Sequence, residues 1–210
     1  MYGLPSSTLI NRPLYKKAVF EKFNLKTAER DRFDVDVSRM AIVAYLSPAK
    51  IPALHPGQEV KEFYVLQVQL KQRDYDTKNI LLLQKLIPQK IVFALEYDED
   101  VQFCIFHTRL QQSEWKHASD AEIPLTGLTL DDVWENIVAV IGGLDAQSEE
   151  SIEEQIVNRE QREKLLRQIE TLEKRARTEK QTRKKYELHQ QIIKLKKELA
   201  EWTAIYSLSE

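Results

Sequence analysis

The sequence holds a single cysteine, Cys104, so no intrachain disulfide can form and nothing asks for an oxidising compartment. Lying in a stretch that reads as a strand, this thiol is expected to act as a small buried hydrophobe. The four histidines, His55, His107, His117 and His189, show no metal-ligand spacing with the cysteine. Glycine is scarce. Its one tandem pair, Gly142-Gly143, follows a helical pattern instead of opening one, so no phosphate-cradling loop is present. A Gly-X-Ser-X-Gly elbow is also missing. The acidic run from Glu96 to Asp100 lacks the glycine and spacing of a Ca²⁺ loop and reads as a turn. No apolar run approaches the roughly 20 residues of a membrane span. Met1 to Thr8 has neither the basic region nor the apolar core of a signal peptide. These absences set the expectation of a cytosolic protein with no membrane partner. A net charge of −2 speaks against a uniformly basic nucleic-acid binder, although local clusters cancel in such a sum.

What the chain has is enough apolar residue, 42%, to build a core without disulfides or metal. Leu14, Ala18, Val19 and Phe23, separated by charged residues, predict a short amphipathic helix. Phe33, Val35 and Val37 alternate with Asp34, Asp36 and Ser38, which predicts extended structure from Phe33 to Tyr45. The clearest strand is Tyr64–Lys71, apolar on one face and largely polar on the other. A short helix over Lys78–Leu86 is followed by a core strand at Lys90–Leu95 and a returning strand at Val101–His107, a hairpin. Ser113 to Gly127 reads as loop around Trp115, and Trp115 and Trp134 are expected in the core or an interface. Thr129 is the expected N-cap of a helix carrying Leu130, Val133, Trp134, Ile137, Val138 and Ile141, ended by Gly142-Gly143.

From about Glu149 glycine and proline vanish and charge rises steeply. Leu165, Ile169, Leu172 and Ala176 follow heptad spacing, as do Leu188, Ile192, Leu195, Leu199 and Trp202. The twelve-residue step from Ala176 to Leu188 breaks the phase. One long helix with a stutter accounts for this. A turn near Thr178–Thr182 accounts for it too, and is preferred because each seam then finds a partner within the chain. The expected class is therefore α+β: a mixed α/β domain with a central sheet over residues 1–145, then a charged antiparallel helical hairpin or coiled coil over 146–210.

Two regions are candidates for function. The first is the basic cluster at the expected hairpin tip: Lys174, Arg175, Arg177, Lys180, Arg183, Lys184 and Lys185. Such a tip can contact phosphates and release their counterions. A solvated helix face paired with its own glutamates has the same composition. The second is Gln69-Leu70-Lys71, preceded by Asp34 and Asp36. Nucleases of the PD-(D/E)XK class place an Asp on one strand and a (Glu/Gln)-X-Lys triplet on the next, so that carboxylates hold Mg²⁺ beside a lysine. Here Gln69 in place of the acid leaves the metal one anionic ligand short. An ordinary solvent-facing strand explains the same residues.

Several stretches together resemble a bacterial family, domain of unknown function 4391. They are Leu4-Pro5-Ser6-Ser7-Thr8, Tyr45-Leu46-Ser47-Pro48, Tyr64 to Lys71, Leu86 to Phe93, Trp134 to Val138, and Glu179-Lys180-Gln181 with Arg183 to Leu188. The resemblance implies a gene context beside DNA helicases and methyltransferases in restriction-like or phage-defence islands. It implies no established activity. In the family the strand triplet is often Glu-X-Leu-Lys, and this chain departs from it with Gln67 and Gln69. The expectation is a non-catalytic accessory or interaction protein with a helicase or methyltransferase as partner, nucleic acid as a further one, and self-association through the C-terminal helices. The alternatives are a divergent Mg²⁺-dependent nuclease and a coiled-coil scaffold.

Overall fold

The computed structural model describes residues 1–206 apart from positions 147 and 149, with side chains as far as 201. The chain forms two compact units, Met1–Ala146 and Gln147–Glu210.

Among the described residues the first unit carries a seven-stranded mixed sheet. In chain order its strands are β1 (Leu9–Leu14), β2 (Val37–Leu46), β3 (Phe63–Leu70), β4 (Lys90–Tyr97), β5 (Asp100–His107), β6 (Arg109–Gln112) and β7 (Lys116–His117). Strands β1 to β6 lie side by side in sequence order, and β7 pairs with β5. Every pairing is antiparallel except β3 with β4. A parallel pair needs a crossover, and helix α3 (Thr77–Leu86) supplies it. Helices α1 (Lys16–Lys22) and α2 (Thr27–Asp36) precede β2, and α4 (Leu130–Gly142) closes the unit.

The pleat sorts the side chains of β3. Leu66, Val68 and Leu70 join Val19, Phe33, Ile80, Leu83 and Phe93 in one core cluster beneath α1–α3. Phe63 turns the other way and meets Trp134 of α4, ring centroids 5.6 Å apart. Further along this second face the residues become Gln67 and Gln69, half-buried rather than apolar. Helix α4 starts where expected: the Thr129 hydroxyl accepts from the Asp132 N–H, and the Asp132 carboxylate accepts from the Thr129 N–H. It ends on Gly143 in the left-handed conformation, φ 60°.

The extended structure expected from Phe33 needs correction. Phe33 to Asp36 are the last turn of α2, and the strand begins at Val37. The helix opens where the Glu29 carboxylate accepts the Lys26 N–H at 2.9 Å. A strand would have put Phe33, Val35 and Val37 on one face, but Val35 is 55% exposed while Phe33 and Asp36 are buried. Three alternating residues were too few to separate the two periods. Asp34 and Asp36 therefore sit on a helix end. Strand β6 carried no sequence signal because it is polar, and β1 went unread because Leu14 reads as part of the following helix, which starts only at Lys16. β1 includes Asn11, Arg12 and Pro13, a composition an edge strand tolerates.

The second unit is an antiparallel helical hairpin, α5 (Ile152–Thr178) and α6 (Thr182–Tyr206), joined by Glu179-Lys180-Gln181. Ser151 caps α5 in a reciprocal pair with Glu154. The two seams meet as expected. Ile169, Ala176 and Ile192 are buried, with Leu172, Leu188, Leu195 and Leu199 packed against them. Leu165 is also buried. The side chain of Trp202 lies outside the described residues. No helix among the described residues is long and apolar enough to cross a membrane.

Candidate functional site

The strand–helix candidates are close in space but their side chains serve different ends. Asp34 forms an ion pair with Lys16 of α1 at 2.6 Å. Lys71 donates its ammonium to the main-chain carbonyl of Asp34, not to a carboxylate. Asp36, 4% exposed, accepts from the Asn79 amide at 2.7 Å, the Gln72 amide at 2.8 Å and the Asp76 N–H at 2.8 Å. Its carbonyl accepts the Lys71 N–H at 2.7 Å. The Asp36 carboxylate thus fixes the β3–α3 connection, a buried acid made tolerable by hydrogen-bond donors.

That arrangement does not fit Mg²⁺, which takes oxygen ligands. N–H donors ring Asp36, and Asp34 turns to a lysine. Gln69 is on the opposite side of the strand from the core cluster, paired in register with Arg39 of β2 and Glu96 of β4. With Gln67, Arg39, Tyr15, Lys16 and Asn11 it lines a cleft of about 460 Å³. Arg39 and Lys16 went unnoticed in the sequence because the sheet register sets Arg39 beside Gln69 and the start of α1 brings Lys16 to the same cleft. Among the described residues no group of three or more His, Cys, Asp or Glu side chains is placed to hold a metal ion.

Cys104 is fully buried, its sulfur 3.6 Å from the Tyr75 hydroxyl. Burial pushes the thiol up to about 11, so it stays protonated at neutral pH and serves as packing. Trp134 is buried in the core. Trp115 packs against the α1–α3 cluster with the Arg73 guanidinium over its ring at 5.2 Å.

The hairpin tip presents a different picture. From Lys174 to Lys185 the chain carries seven cations against one acid, Glu179. All seven, Lys174, Arg175, Arg177, Lys180, Arg183, Lys184 and Lys185, are exposed. Lys174 pairs with Glu170 at 2.7 Å and Arg183 with Glu187 at 3.3 Å, each one helical turn away. Exposed pairs of this kind contribute little to stability. They compete weakly with an incoming phosphate.

The register of the two helices shapes the tip. Glu173 forms an ion pair with Lys196 at 2.7 Å, Ala176 shares the buried seam with Ile192, and Leu172 borders the same groove as Leu195. Each α6 partner stands seven to nine residues further from the turn than its α5 counterpart, counted from Thr178 and Thr182. At 1.5 Å per residue, the start of α6 lies about 10–13 Å beyond the end of α5, and the connector Glu179-Lys180-Gln181 spans that offset beside it. Consistently, Thr182 to Glu187 are all exposed, and Leu188 is the first half-buried residue of α6. Below the turn Arg177, Lys185, His189 and Lys196 line a groove of about 450 Å³ together with Glu173. The helical register adds His189 and Lys196 to the basic set read from the sequence.

The chain matches the family described as Domain of unknown function (DUF4391) over residues 2–199, and it belongs to that family. No curated protein and no solved structure matches it.

Proposed function

We propose that this protein is a non-catalytic interaction protein whose hairpin tip docks on a polyanionic partner, nucleic acid being the class its chemistry fits. One observation carries this reading: seven exposed cations crowd into twelve residues at the end of a helical hairpin, in a chain whose net charge is −2. Concentrating positive charge at one end of the hairpin makes a positive local field there. Each phosphate it neutralises releases condensed counterions, which drives association at low salt. The gene context implied by the family resemblance extends the proposal to an accessory subunit of DNA-handling machinery, working beside a helicase or a DNA methyltransferase.

The test is a gel shift of the full chain on a nucleic-acid duplex across a salt series. Wild-type affinity is expected to fall steeply with salt. Glutamate at Arg177, Lys180, Arg183 and Lys184 together is expected to weaken binding by at least about tenfold at low salt. Equal affinity of the two proteins would remove the tip as the contact surface.

A further inference from the structure

We infer that the cleft on the second face of the sheet binds a nucleoside phosphate, adenine being the base its amides fit. The inference concerns the sheet unit alone and does not rest on the hairpin tip.

The register of the first three strands builds the cleft. Residues directly opposite each other on paired strands share a face. Arg39 of β2 lies opposite Gln69 of β3, while Pro13 of β1, Ala41 of β2 and Gln67 of β3 form the next row. All five line the same cleft of about 460 Å³, within the size range of small-molecule sites. Pro13 and Ala41 make a short apolar floor. Tyr15, 72% exposed, lines the cleft with its ring open to solvent.

The polar groups are not equivalent, and their differences define the ligand. Lys16 is already paired with Asp34 at 2.6 Å. Gln67 lies beside the Tyr2 hydroxyl, which donates to Glu96 at 2.7 Å. Among the described residues the side chains of Arg39 and Gln69 make no hydrogen bond or ion pair. Gln69 is nevertheless half-buried, so its amide faces the cleft with donor and acceptor both open. No carboxylate lines the cleft, so Arg39 favours an anion there, and its planar fork suits a phosphate. A glutamine amide pairs at two points with the N6 amino group and N7 of adenine. A flat base fits between the Tyr15 ring and the Pro13–Ala41 floor. The floor row and the Arg39 row are about 7 Å apart along the strands, which leaves room for a sugar between base and phosphate. A bare phosphate or carboxylate would use Arg39 and leave the floor, Tyr15 and Gln69 uncovered.

The experiment is isothermal titration calorimetry of the full chain with adenosine 5′-monophosphate, guanosine 5′-monophosphate, adenosine and inorganic phosphate in turn. Adenosine monophosphate is expected to bind at least about tenfold tighter than each of the other three. Arg39→Gln should reduce its affinity to that of adenosine, and Gln69→Ala should erase the preference over guanosine monophosphate. Tyr15→Ala should weaken both nucleotides alike, by about tenfold. Arg39 and Tyr15 are exposed, so these two variants keep the fold. The four-glutamate tip variant should bind adenosine monophosphate as the wild type does, which separates the cleft from the hairpin. Inorganic phosphate binding as tightly as the nucleotide would overturn the inference in favour of a bare anion site. Failure of both nucleotides to bind, or unchanged affinity in Arg39→Gln and Tyr15→Ala, would overturn the cleft as a nucleotide site. Loss of binding in the tip variant alone would also overturn it, and would leave the proposed role of the tip standing.

Discussion

In the sheet unit a side chain such as Phe93 is covered on every side, in a cluster that draws on three helices and the middle strands. Among the described residues of the hairpin, a narrow line of side chains is buried with half-exposed leucines beside it, and most of the charged residues face outward. Stability and surface chemistry are thus divided between two parts of the chain. The sheet unit gains its stability from apolar area removed from water. The hairpin keeps long charged side chains in solvent and needs a narrow seam to stay paired. A thin seam also tolerates stagger, and the stagger creates the projecting tip.

Substitutions should break this comparison in a graded way. Phe93→Ala opens a cavity in the dense core and is expected to cost about 3–5 kcal/mol, read from denaturant unfolding followed by tryptophan fluorescence. Next comes Asp36→Ala, which strands the Asp76 N–H and the Asn79 amide without their acceptor. Its cost is on the order of 3 kcal/mol, measured the same way, and a catalytic role for Asp36 would leave stability unchanged. Ile192→Ala in the seam should cost about 2 kcal/mol, at the low end for such truncations because solvent reaches its flanks. Far-ultraviolet circular dichroism on heating should show that loss as early helix melting. Thr129→Ala removes the cap of α4 and should cost about 1 kcal/mol in the same unfolding assay.

The smallest effect is a dependence on pH. The Asp131 carboxylate accepts from the N–H groups of Gln58, Glu59 and Val60, and the Val60 bond contributes most to holding its carboxyl below the usual range. Gly57 is required there, since a Cβ would overlap that carboxylate. A carboxyl depressed in the folded state stabilises above its unfolded value, about 3.9, and loses that contribution as pH falls through the lower folded value. Asp131→Asn should therefore lower the melting temperature at neutral pH, and the gap should close once the pH has fallen through the depressed folded-state value. A gap that persists there would mean that packing, not charge, holds the loop.

Much of this architecture was legible in residue order. The β4–β5 hairpin, the strand at Tyr64–Leu70, the Thr129 cap and the paired seams all carry their signal locally, in periodicity or in capping chemistry. Strand β6 did not, because it is polar, and β1 did not, because Leu14 reads as part of the following helix. The last turn of α2 misled because three alternating residues mimic a strand, and its helical identity comes from Phe33 packing on Phe20 at 5.7 Å. The tip cations were legible as a charge run. Their placement around a staggered hairpin end was not, because it depends on the register between α5 and α6. Asp36 was misread for the same kind of reason: its partners Asp76 and Asn79 lie some forty residues away.

Lysine-reactivity footprinting of the full chain, with and without a 20-bp DNA duplex, tests the central claim most directly. The account predicts that the duplex shields Lys180, Lys184 and Lys185 while Lys194, Lys197 and the exposed lysines of the sheet unit react as before. Unchanged reactivity at those three positions, with shielding on the sheet unit, would contradict it.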